Sequence, residues 1–419
     1  MSFPSLLSQR SDYDPNALPV AQARELIQAY LAPVRGTEIL PLKQALGRVL
    51  AEDVASPLDV PGYDNSAMDG YGVRFADLAE APVRLRVVGT ARAGRPFAGT
   101  AGPGECVRVM TGAVIPAGVD TVIMQEHVSR DGDQISVKPG HRRGQNLRRA
   151  GEDIPRGSVA LARGRLLRPA ELGLLASLGT QEIPVRRRPR VAFFSTGDEL
   201  RPAGAPLGPG QIHDSNRYSL YGMLARLGVE PLDLGLLPDD PHQLRQAFAE
   251  AAAMADAVIA SGGVSVGEAD FVRDILAGLG EVVFWKIAMK PGRPLAYGKL
   301  GAAHFFGLPG NPVSAMVTFY QFVRDALLAL MGCDPVPALP VLQAVCVEDL
   351  RKAPGRTEFQ RGILAPDPQG RWVVRPTGAQ GSGMLSSMSQ ANCFIILPQE
   401  QGNVAAGAPV AVQLLEGLV

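Results

Sequence analysis

An alternation of short apolar strands with amphipathic helices over residues 189–331 constrains the fold more than any other feature of the sequence. The first strand, RVAFFST, precedes a helix that we expect Asn216 to cap and Gly228 to end. Two further strand–helix pairs follow, and then three strands and a long helix that begins at Pro312. This order predicts βαβ units, with helices on both faces of a mostly parallel sheet.

Both flanks of this region carry different patterns. Residues 20–33 and 40–54 have helical periodicity, and residues 83–139 form short alternating strands with a hairpin turn at Asp131-Gly132. The last ~80 residues alternate again, with a second turn at DPQG. We therefore predict a multidomain chain of α/β plus β class, with a central α/β sandwich domain and two smaller β-rich domains.

Composition excludes several classes of protein. The chain of 419 residues has a formal net charge of zero, which argues against a general nucleic-acid binder. Its four cysteines and five histidines lack the spacing of a disulfide framework or a zinc site. We find neither an export signal nor an unbroken apolar run of membrane-spanning length, so we expect a reduced cytoplasmic setting.

Three polar loops follow strands of the predicted sheet. They are residues 195–199, the glycine-rich stretch 261–270 and the segment 307–314. Each alone is compatible with an ordinary turn or helix cap. Together they would line one edge of one sheet, where parallel α/β sheets bind ligands. Backbone N–H groups near the carboxylates Glu268 and Asp270 suit a phosphorylated ligand bridged by a divalent cation.

Lysine is scarce and clustered. The chain has six lysines against 35 arginines, and Lys286, Lys290 and Lys299 fall in one segment, WKIAMKPGRPLAYGK. A lysine ammonium is a compact point charge, whereas arginine offers a planar fork. Unless the cluster arose by chance, it indicates an anion site near the glycine-rich loops.

These motifs resemble those of the molybdopterin molybdenumtransferases, a family that includes the E domain of gephyrin. The resemblance covers about residues 45–400 and rests on blocks in the family's order: PLDVPGYDNSAMDGYGV, RVMTGAVIP, GQNLRRAGEDI, FFSTGDEL, SGGVSVGEADF, MKPGRPLAYG, GLPGNPVSA, TEFQRG and QGSGMLSS.

The resemblance implies an elongated, four-part subunit that forms a homodimer. It implies a reaction of adenylylated molybdopterin with molybdate, giving molybdenum cofactor and AMP with Mg²⁺ as the cation. An upstream molybdopterin adenylyltransferase would supply the pterin, and neither nucleic acid nor a membrane takes part. The expected parts are a helical segment (1–37), a connecting domain (38–57 with 150–183), an inserted β-rich domain (58–149), the α/β domain (184–332) and a barrel-like domain (333–419).

Roles can be assigned by motif. The expected catalytic residues are Asp69, Thr111, Asp153, Glu199, Asp270, Lys286 and Lys290. Those expected to bind the pterin substrate are Ser195, Thr196, Gly197, Asp239, Ser261, Gly262, Gly263, Ser265, Gly267, Pro309, Gly310 and Asn311. The groups expected around molybdate are Lys290, Arg293, Ser314, Arg361 and Ser382, and Mg²⁺ is assigned to Glu199 and Asp270.

One departure affects the molybdate assignment. Relatives often have KPGKP where this chain has KPGRP, so Arg293 replaces a lysine and changes the donor geometry while keeping the charge. Arg361 and Ser382 lie far along the chain from Lys290. Whether those two complete the site within one subunit or across the dimer stays open at this stage.

Two other functions compete with this assignment. The SGGVSVG-type domain also resembles one in nucleotide-cleaving proteins related to competence-damage proteins, so a pyrophosphatase is one alternative. The two β-rich domains and the GYDNSAMDGYG block argue against it. A receptor-binding scaffold is the other alternative, and the presence of every acidic and basic motif residue argues against it.

Overall fold

The computed structural model of the chain describes residues 18–79, 82–263 and 270–415. The chain divides into two compact units. Of the described residues, the first unit contains 18–51, a short return at 164–169, 182–263 and 270–415. The second unit contains residues 52–163 and 170–181. The five-part division given above stays a prediction.

The central sheet of the first unit has six strands. They are β1 (Arg190–Thr196), β2 (Glu230–Leu237), β3 (Ala257–Ser261), β4 (Gly280–Lys286), β5 (Pro294–Leu300) and β6 (Ala303–Leu308). Their order is β2-β1-β3-β6-β5-β4. The strands β2, β1, β3 and β6 are parallel, and β5 and β4 complete the sheet by antiparallel pairing. The carboxyl ends of β1, β3 and β6 therefore meet at one edge.

Helices cover both faces of this sheet. They are α1 (Asn216–Leu227), α2 (Pro241–Met254), α3 (Asp270–Leu279) and the long helix α4, residues 312–330. Because side chains of a strand alternate between faces, Val191 and Phe193 of β1 belong to a core with α1 and α4. Ala192 and Phe194 belong to a second core with α2 and α3. Gly228 ends α1 with φ +82°, as predicted.

The long helix α4 lies inside the first unit. It is long and apolar enough to cross a membrane by length and composition, but 72% of it is buried in the protein. Such burial is typical of a core helix. At its centre, residues 319–323 form a π-helical turn that contains the fully buried Gln321. Arg24 Nε donates to the Gln321 carbonyl at 2.9 Å, and Gln321 Nε2 donates to Gln413 Oε1 at 3.0 Å.

The C-terminal part of the first unit forms a closed barrel. Its strands are β7 (Val341–Cys346), β8 (Thr357–Pro366), β9 (Trp372–Pro376), β10 (Cys393–Leu397) and β11 (Pro409–Leu414), with the short helix α5 (Leu385–Gln390). The ring closes because β8 pairs with both β9 and β10. The DPQG turn joins β8 to β9, with Gly370 at φ +79°, as predicted.

A two-residue strand ties the α/β part to the barrel. Met289 and Lys290 follow β4 and pair in parallel with the start of β8, where Lys290 lies opposite Glu358. The Thr357 N–H donates to the Ala288 carbonyl at 2.9 Å. Side chains at positions 290 and 358 are thereby held side by side.

The second unit is β-rich. Its main sheet has six strands, Thr121–Met124, Gly70–Val73, Glu105–Val109, Val83–Ala91, Gln134–Val137 and Val128–Asp131, in that spatial order. Gly132 has φ +60° and closes the hairpin predicted at Asp131-Gly132. The second unit also has the strand pairs Val54–Ala55 with Val159–Leu161 and Asn65–Ser66 with Leu147–Arg148, and all but the first residue of the helix Pro169–Ser177. The first unit also has the helix Val20–Ala29 and the strand pairs Thr37–Pro41 with Glu182–Arg186 and Leu200–Arg201 with Ile212–His213.

One predicted helix is wrong. Within residues 40–54 the helical structure is a single 3₁₀ turn, Leu42–Ala45. Gly47 follows at φ +73°, and Val49 and Leu50 then form bridges to Leu166 and Val185. Extended pairing therefore replaces the helix that the apolar spacing suggested, which is a tertiary override of local propensity.

Candidate functional site

A cleft of about 550 Å³ opens where β1, β3 and β6 end. We call it the strand-end cleft. Its lining includes Thr196, Gly197, Glu199, Asp214, Asn216, Asp239, Ser261, Gly262, Gly263, Gly310, Asn311, Pro312, Gly383 and Leu385. The three predicted loops therefore lie at one site. Ligands bind at this edge in other open α/β sheets.

The glycines after β3 let two loops approach closely. Gly262 has φ +94°, and a Cβ there would lie 2.4 Å from the Thr196 carbonyl oxygen. A Cβ on Gly263 would lie 2.8 Å from Thr196 Oγ1. That hydroxyl is buried and has no hydrogen-bond partner among the described residues. A buried hydroxyl normally has a partner, so Thr196 can offer a hydrogen bond to a ligand in the cleft.

Asn216 joins two of the loops. Its Nδ2 donates to Ser261 Oγ at 2.8 Å and to the Gly310 carbonyl at 2.7 Å. Asn216 is the first residue of α1, so the prediction that it caps this helix is wrong. The side chain is buried and points into the site because both acceptors lie there.

A buried carboxylate forms part of the cleft wall. Asp214 is 2% exposed, and its Oδ1 accepts from Ser195 Oγ at 2.9 Å. Arg217 Nε donates to Asp214 Oδ2 at 3.1 Å, and Arg217 Nη1 donates to Asp233 Oδ2 at 2.8 Å. Ser195 is thus occupied by Asp214 and does not line the cleft, unlike the adjacent Thr196.

Two exposed carboxylates border the same cleft. Glu199 and Asp239 both line it, and Asp198 Oδ1 accepts from the Asp239 N–H at 3.2 Å. Within residues 18–79, 82–263 and 270–415, no three His, Cys, Asp or Glu side chains are grouped to hold a metal ion. Mg²⁺ often uses only one or two protein carboxylates together with substrate phosphates and waters. The exposed carboxylates are the donor type that such binding requires.

Part of the predicted site lies outside the described residues. Ser265 and Gly267 belong to residues 264–269, which are not described. Asp270 begins α3, but the structure does not describe its side chain.

A second cleft, of about 300 Å³, is lined by cations and hydroxyls. We call it the basic cleft. Lys290 and Arg293 border it together with Arg356, Ser314 and Ser382. The Val313 N–H donates to the Ser382 carbonyl at 3.0 Å, which holds the start of α4 against the loop after β9. Four of the five residues expected around molybdate are therefore neighbours.

Arg361 is the fifth, and it does not line the basic cleft. Its side chain is 1% exposed, and burial lowers its pKa to about 10. Nε donates to Ser387 Oγ at 2.9 Å and Nη2 donates to the Gly381 carbonyl at 3.0 Å. Arg361 thus holds the cleft-lining loop from behind. Lys286, at the end of β4, lines neither cleft.

Pro309 does not line the strand-end cleft, but its carbonyl accepts from Ser261 Oγ at 3.4 Å. The predicted residues not yet placed lie in the second unit. The Thr111 backbone N–H and hydroxyl both donate to Asp69 Oδ1, each at 2.7 Å. These two hydrogen bonds lower the pKa of Asp69, so it stays ionised. Asp153 is exposed, and its N–H donates to the Val60 carbonyl at 3.0 Å.

Four polar residues stand out among those of the two clefts that sequence reasoning missed. Asp214 lines the strand-end cleft, Asn216 was assigned only a capping role, and Arg356 and Gln380 line the basic cleft. A signal existed for the first two, since the run HDSN places four polar residues just before an amphipathic helix. Arg356 directly precedes the TEFQRG block and Gln380 begins QGSGMLSS.

Comparison with known families gives three matches in chain order. The MoeA N-terminal region (domain I and II) matches residues 18–179, and a probable molybdopterin binding domain matches residues 192–329. The MoeA C-terminal region (domain IV) matches residues 343–415. Together they define the class of the chain as a multidomain MoeA protein with several sheets and a barrel-like domain.

Curated relatives of the chain indicate the same family. A molybdopterin molybdenumtransferase from Haemophilus influenzae is 47% identical, with 94% of this chain and 98% of the relative covered. A molybdopterin molybdenumtransferase from Nostoc is 39% identical, with 90% of this chain and 88% of the relative covered. The crystal structure of a molybdopterin biosynthesis MoeA protein from Pyrococcus horikoshii has a TM-score of 0.81 at 31% identity and covers 95% of this chain and all of that one. The chain belongs to the molybdopterin molybdenumtransferase family, a family of transferases in molybdenum cofactor biosynthesis.

Proposed function

We propose that this chain inserts molybdenum from molybdate into adenylylated molybdopterin, releasing AMP and giving molybdenum cofactor. The observation that carries the proposal is that two clefts of different chemistry adjoin in one unit. Pro312 lines the strand-end cleft and Ser314 the basic cleft. Ser382 and Gly383, which are consecutive, also line one cleft each. An enzyme that joins a phosphorylated pterin to a tetrahedral dianion needs such a pair of sites.

The strand-end cleft suits the phosphates of the pterin substrate. The glycine turn at 262–263 brings backbone close to the unpartnered Thr196 hydroxyl. The cleft also includes the start of α4, where the helix dipole favours anions. Thr196 and the backbone donors would orient the substrate, and the wall formed by Asn216 and Ser261 would hold these loops in register.

Mg²⁺ is the cation we propose for this cleft. Glu199 and Asp270 would hold it, with Asp239 beside Glu199 on the cleft lining. When bound, it would neutralise charge on the pyrophosphate being cleaved. The carboxylates themselves repel phosphate, so their position at a phosphate site supports a bridging cation.

The basic cleft suits molybdate. Lys290, Arg293 and Arg356 supply positive charge, and Ser314 and Ser382 supply hydroxyl donors. Cations and oriented donors collect anionic groups that would otherwise repel one another. Asp69, Thr111 and Asp153 of the second unit are proposed to act in the same reaction, as their motifs suggest.

The substrate also defines the setting. Its adenylyl group has to be attached by a preceding adenylyl transfer, so we propose an upstream molybdopterin adenylyltransferase as the supplier. We propose that the chain works as a cytoplasmic homodimer. Sedimentation of the purified protein tests the oligomeric state, with a mass near twice 44.3 kDa expected.

The test is AMP release from anaerobic, purified adenylylated molybdopterin with Mg²⁺, with and without molybdate. We expect release only when molybdate is present. Release without molybdate would support a nucleotide pyrophosphatase instead. Bound pterin with no release under either condition would support a carrier or scaffold.

A further inference from the structure

Behind the basic cleft lies a carboxylate to which no role has been assigned. Glu358 is the parallel register partner of Lys290, and Lys290 Nζ donates to Glu358 Oε1 at 3.3 Å. The carboxylate is buried, with a side-chain exposure of 5%, while that of Lys290 is 47%. The pair therefore has a fixed, buried acceptor and a donor that reaches the cleft.

Glu358 is itself held in place. Gln360 Nε2 donates to Glu358 Oε2 at 3.0 Å and also to the Arg351 carbonyl at 3.1 Å. The buried Lys352 Nζ donates to three backbone carbonyls, those of residues 353, 399 and 401, at 2.7–3.3 Å. Burial lowers the pKa of Lys352, and the nearby Glu358 charge acts in the opposite direction. One carboxylate thus faces two ammonium groups, and only Lys290 of the two lines the cleft.

A negative charge behind an anion site weakens that site. If anion binding were all that the cleft required, a neutral residue at position 358 would serve better. A reaction that consumes the anion has a further requirement, because an oxyanion held too tightly is not passed on. Glu358 meets it by sharing Lys290 with the incoming anion.

We propose that Glu358 is the positioning residue of the basic cleft: it holds the Lys290 ammonium at the cleft and offsets its charge, so that molybdate binds reversibly. This inference rests on the proposed function, since it takes the oxyanion to be molybdate. Glu358 acts through Lys290 and does not itself line the cleft.

The first experiment is a double-mutant cycle on molybdate binding by the full chain, read by calorimetry. Glu358→Gln keeps the shape and one acceptor oxygen but removes the charge, so the Kd should fall about tenfold. Lys290→Gln should raise the Kd by at least about tenfold. Adding Glu358→Gln to Lys290→Gln should change the Kd by less than about twofold, because Lys290, which alone of the two lysines lines the cleft, is then gone.

Steady-state kinetics supply a readout that a purely structural role would not move. We expect Glu358→Gln to lower the KM for molybdate and kcat together, whereas loosened structure would raise KM. Glu358→Asp keeps the charge, and its KM and kcat should stay within about twofold of the wild-type values. It therefore also tests the inference if Glu358→Gln fails to fold. Glu230→Gln is the matched control, since it removes the same charge from the exposed Arg190–Glu230 pair.

Three outcomes overturn the inference. A raised Kd for Glu358→Gln, or an equal effect with and without Lys290, would show that Glu358 does not act through that ammonium. An unchanged Kd for Lys290→Gln would overturn the placement of molybdate in the basic cleft as well, and so identifies a failure of the proposed function.

Discussion

The strand-end cleft and the basic cleft adjoin but draw their chemistry from different parts of the chain. Backbone turns, small polar side chains and carboxylates line the first, which has no lysine or arginine among its described lining residues. Three cationic side chains line the second. A phosphate site that relies on backbone and a metal is set by loop geometry, whereas an oxyanion site that relies on lysine and arginine is set by side-chain charge. Substitutions should therefore affect the two clefts through different observables.

The largest expected effect is on the basic cleft alone. Lys290→Ala should raise the KM for molybdate about 100-fold, because a charged donor to a dianion is lost. Affinity for the pterin should stay within about twofold. Molybdate titrations measure the KM, and pterin titrations measure the affinity for the pterin. Lys43→Ala, at an exposed lysine, is the control. Equal loss of the two affinities would contradict the separation of the clefts.

Asn216→Ala should damage the strand-end cleft by loosening it. The change removes hydrogen bonds to Ser261 and Gly310 and leaves the Gly310 carbonyl without that donor. We expect a loss of about 1–3 kcal/mol in the free energy of unfolding, together with weaker pterin binding. Urea unfolding and pterin titration test this. Weaker molybdate binding with normal pterin binding would argue against the assignment.

Glu199→Gln should change the Mg²⁺ requirement without changing the KM for molybdate. Removing one exposed carboxylate should raise the Mg²⁺ concentration needed for half-maximal AMP release by about tenfold. The KM for molybdate should not change, because Glu199 is not part of the basic cleft. Mg²⁺ titration of AMP release measures the effect, and Glu230→Gln provides an exposed carboxylate control. An unchanged Mg²⁺ requirement would show that Glu199 does not bind the metal.

The smallest effect is expected at Arg361. Arg361→Lys keeps the charge but cannot reach Ser387 and the Gly381 carbonyl with the same fork. We expect the KM for molybdate to rise about three- to tenfold through the loosened loop. A rise as large as that of Lys290→Ala would indicate direct contact with molybdate and place Arg361 in the cleft.

Local sequence patterns predicted much of the fold and of the strand-end cleft. Loops that follow parallel strands meet at one sheet edge for topological reasons, so Thr196, Gly262 and Asn311 could be placed together in advance. The prediction of a helix at residues 40–54 was wrong because bridges to distant residues determine the structure of that segment. Arg361 and Asn216 have side-chain directions fixed by distant partners, which spacing along the chain does not encode. Glu358 had no signal of its own, since its role depends on pairing with Lys290, 68 positions away along the chain.

The buried glutamine in the π-helical turn of α4 has a consequence for how the first unit unfolds. Gln321 binds Arg24 of the N-terminal helix and Gln413 of the barrel, and Gln321 is fully buried. The side-chain amide of Gln321 keeps its hydrogen bonds only while the N-terminal helix, α4 and the barrel stay packed together. Separating any of these elements would leave a polar group without its partner, at a cost of about 1–3 kcal/mol. The N-terminal helix, the core helix and the barrel are therefore coupled into one cooperative unfolding transition. Truncating the barrel would destabilise the sheet edge that carries the strand-end cleft, although the barrel contributes few of its residues.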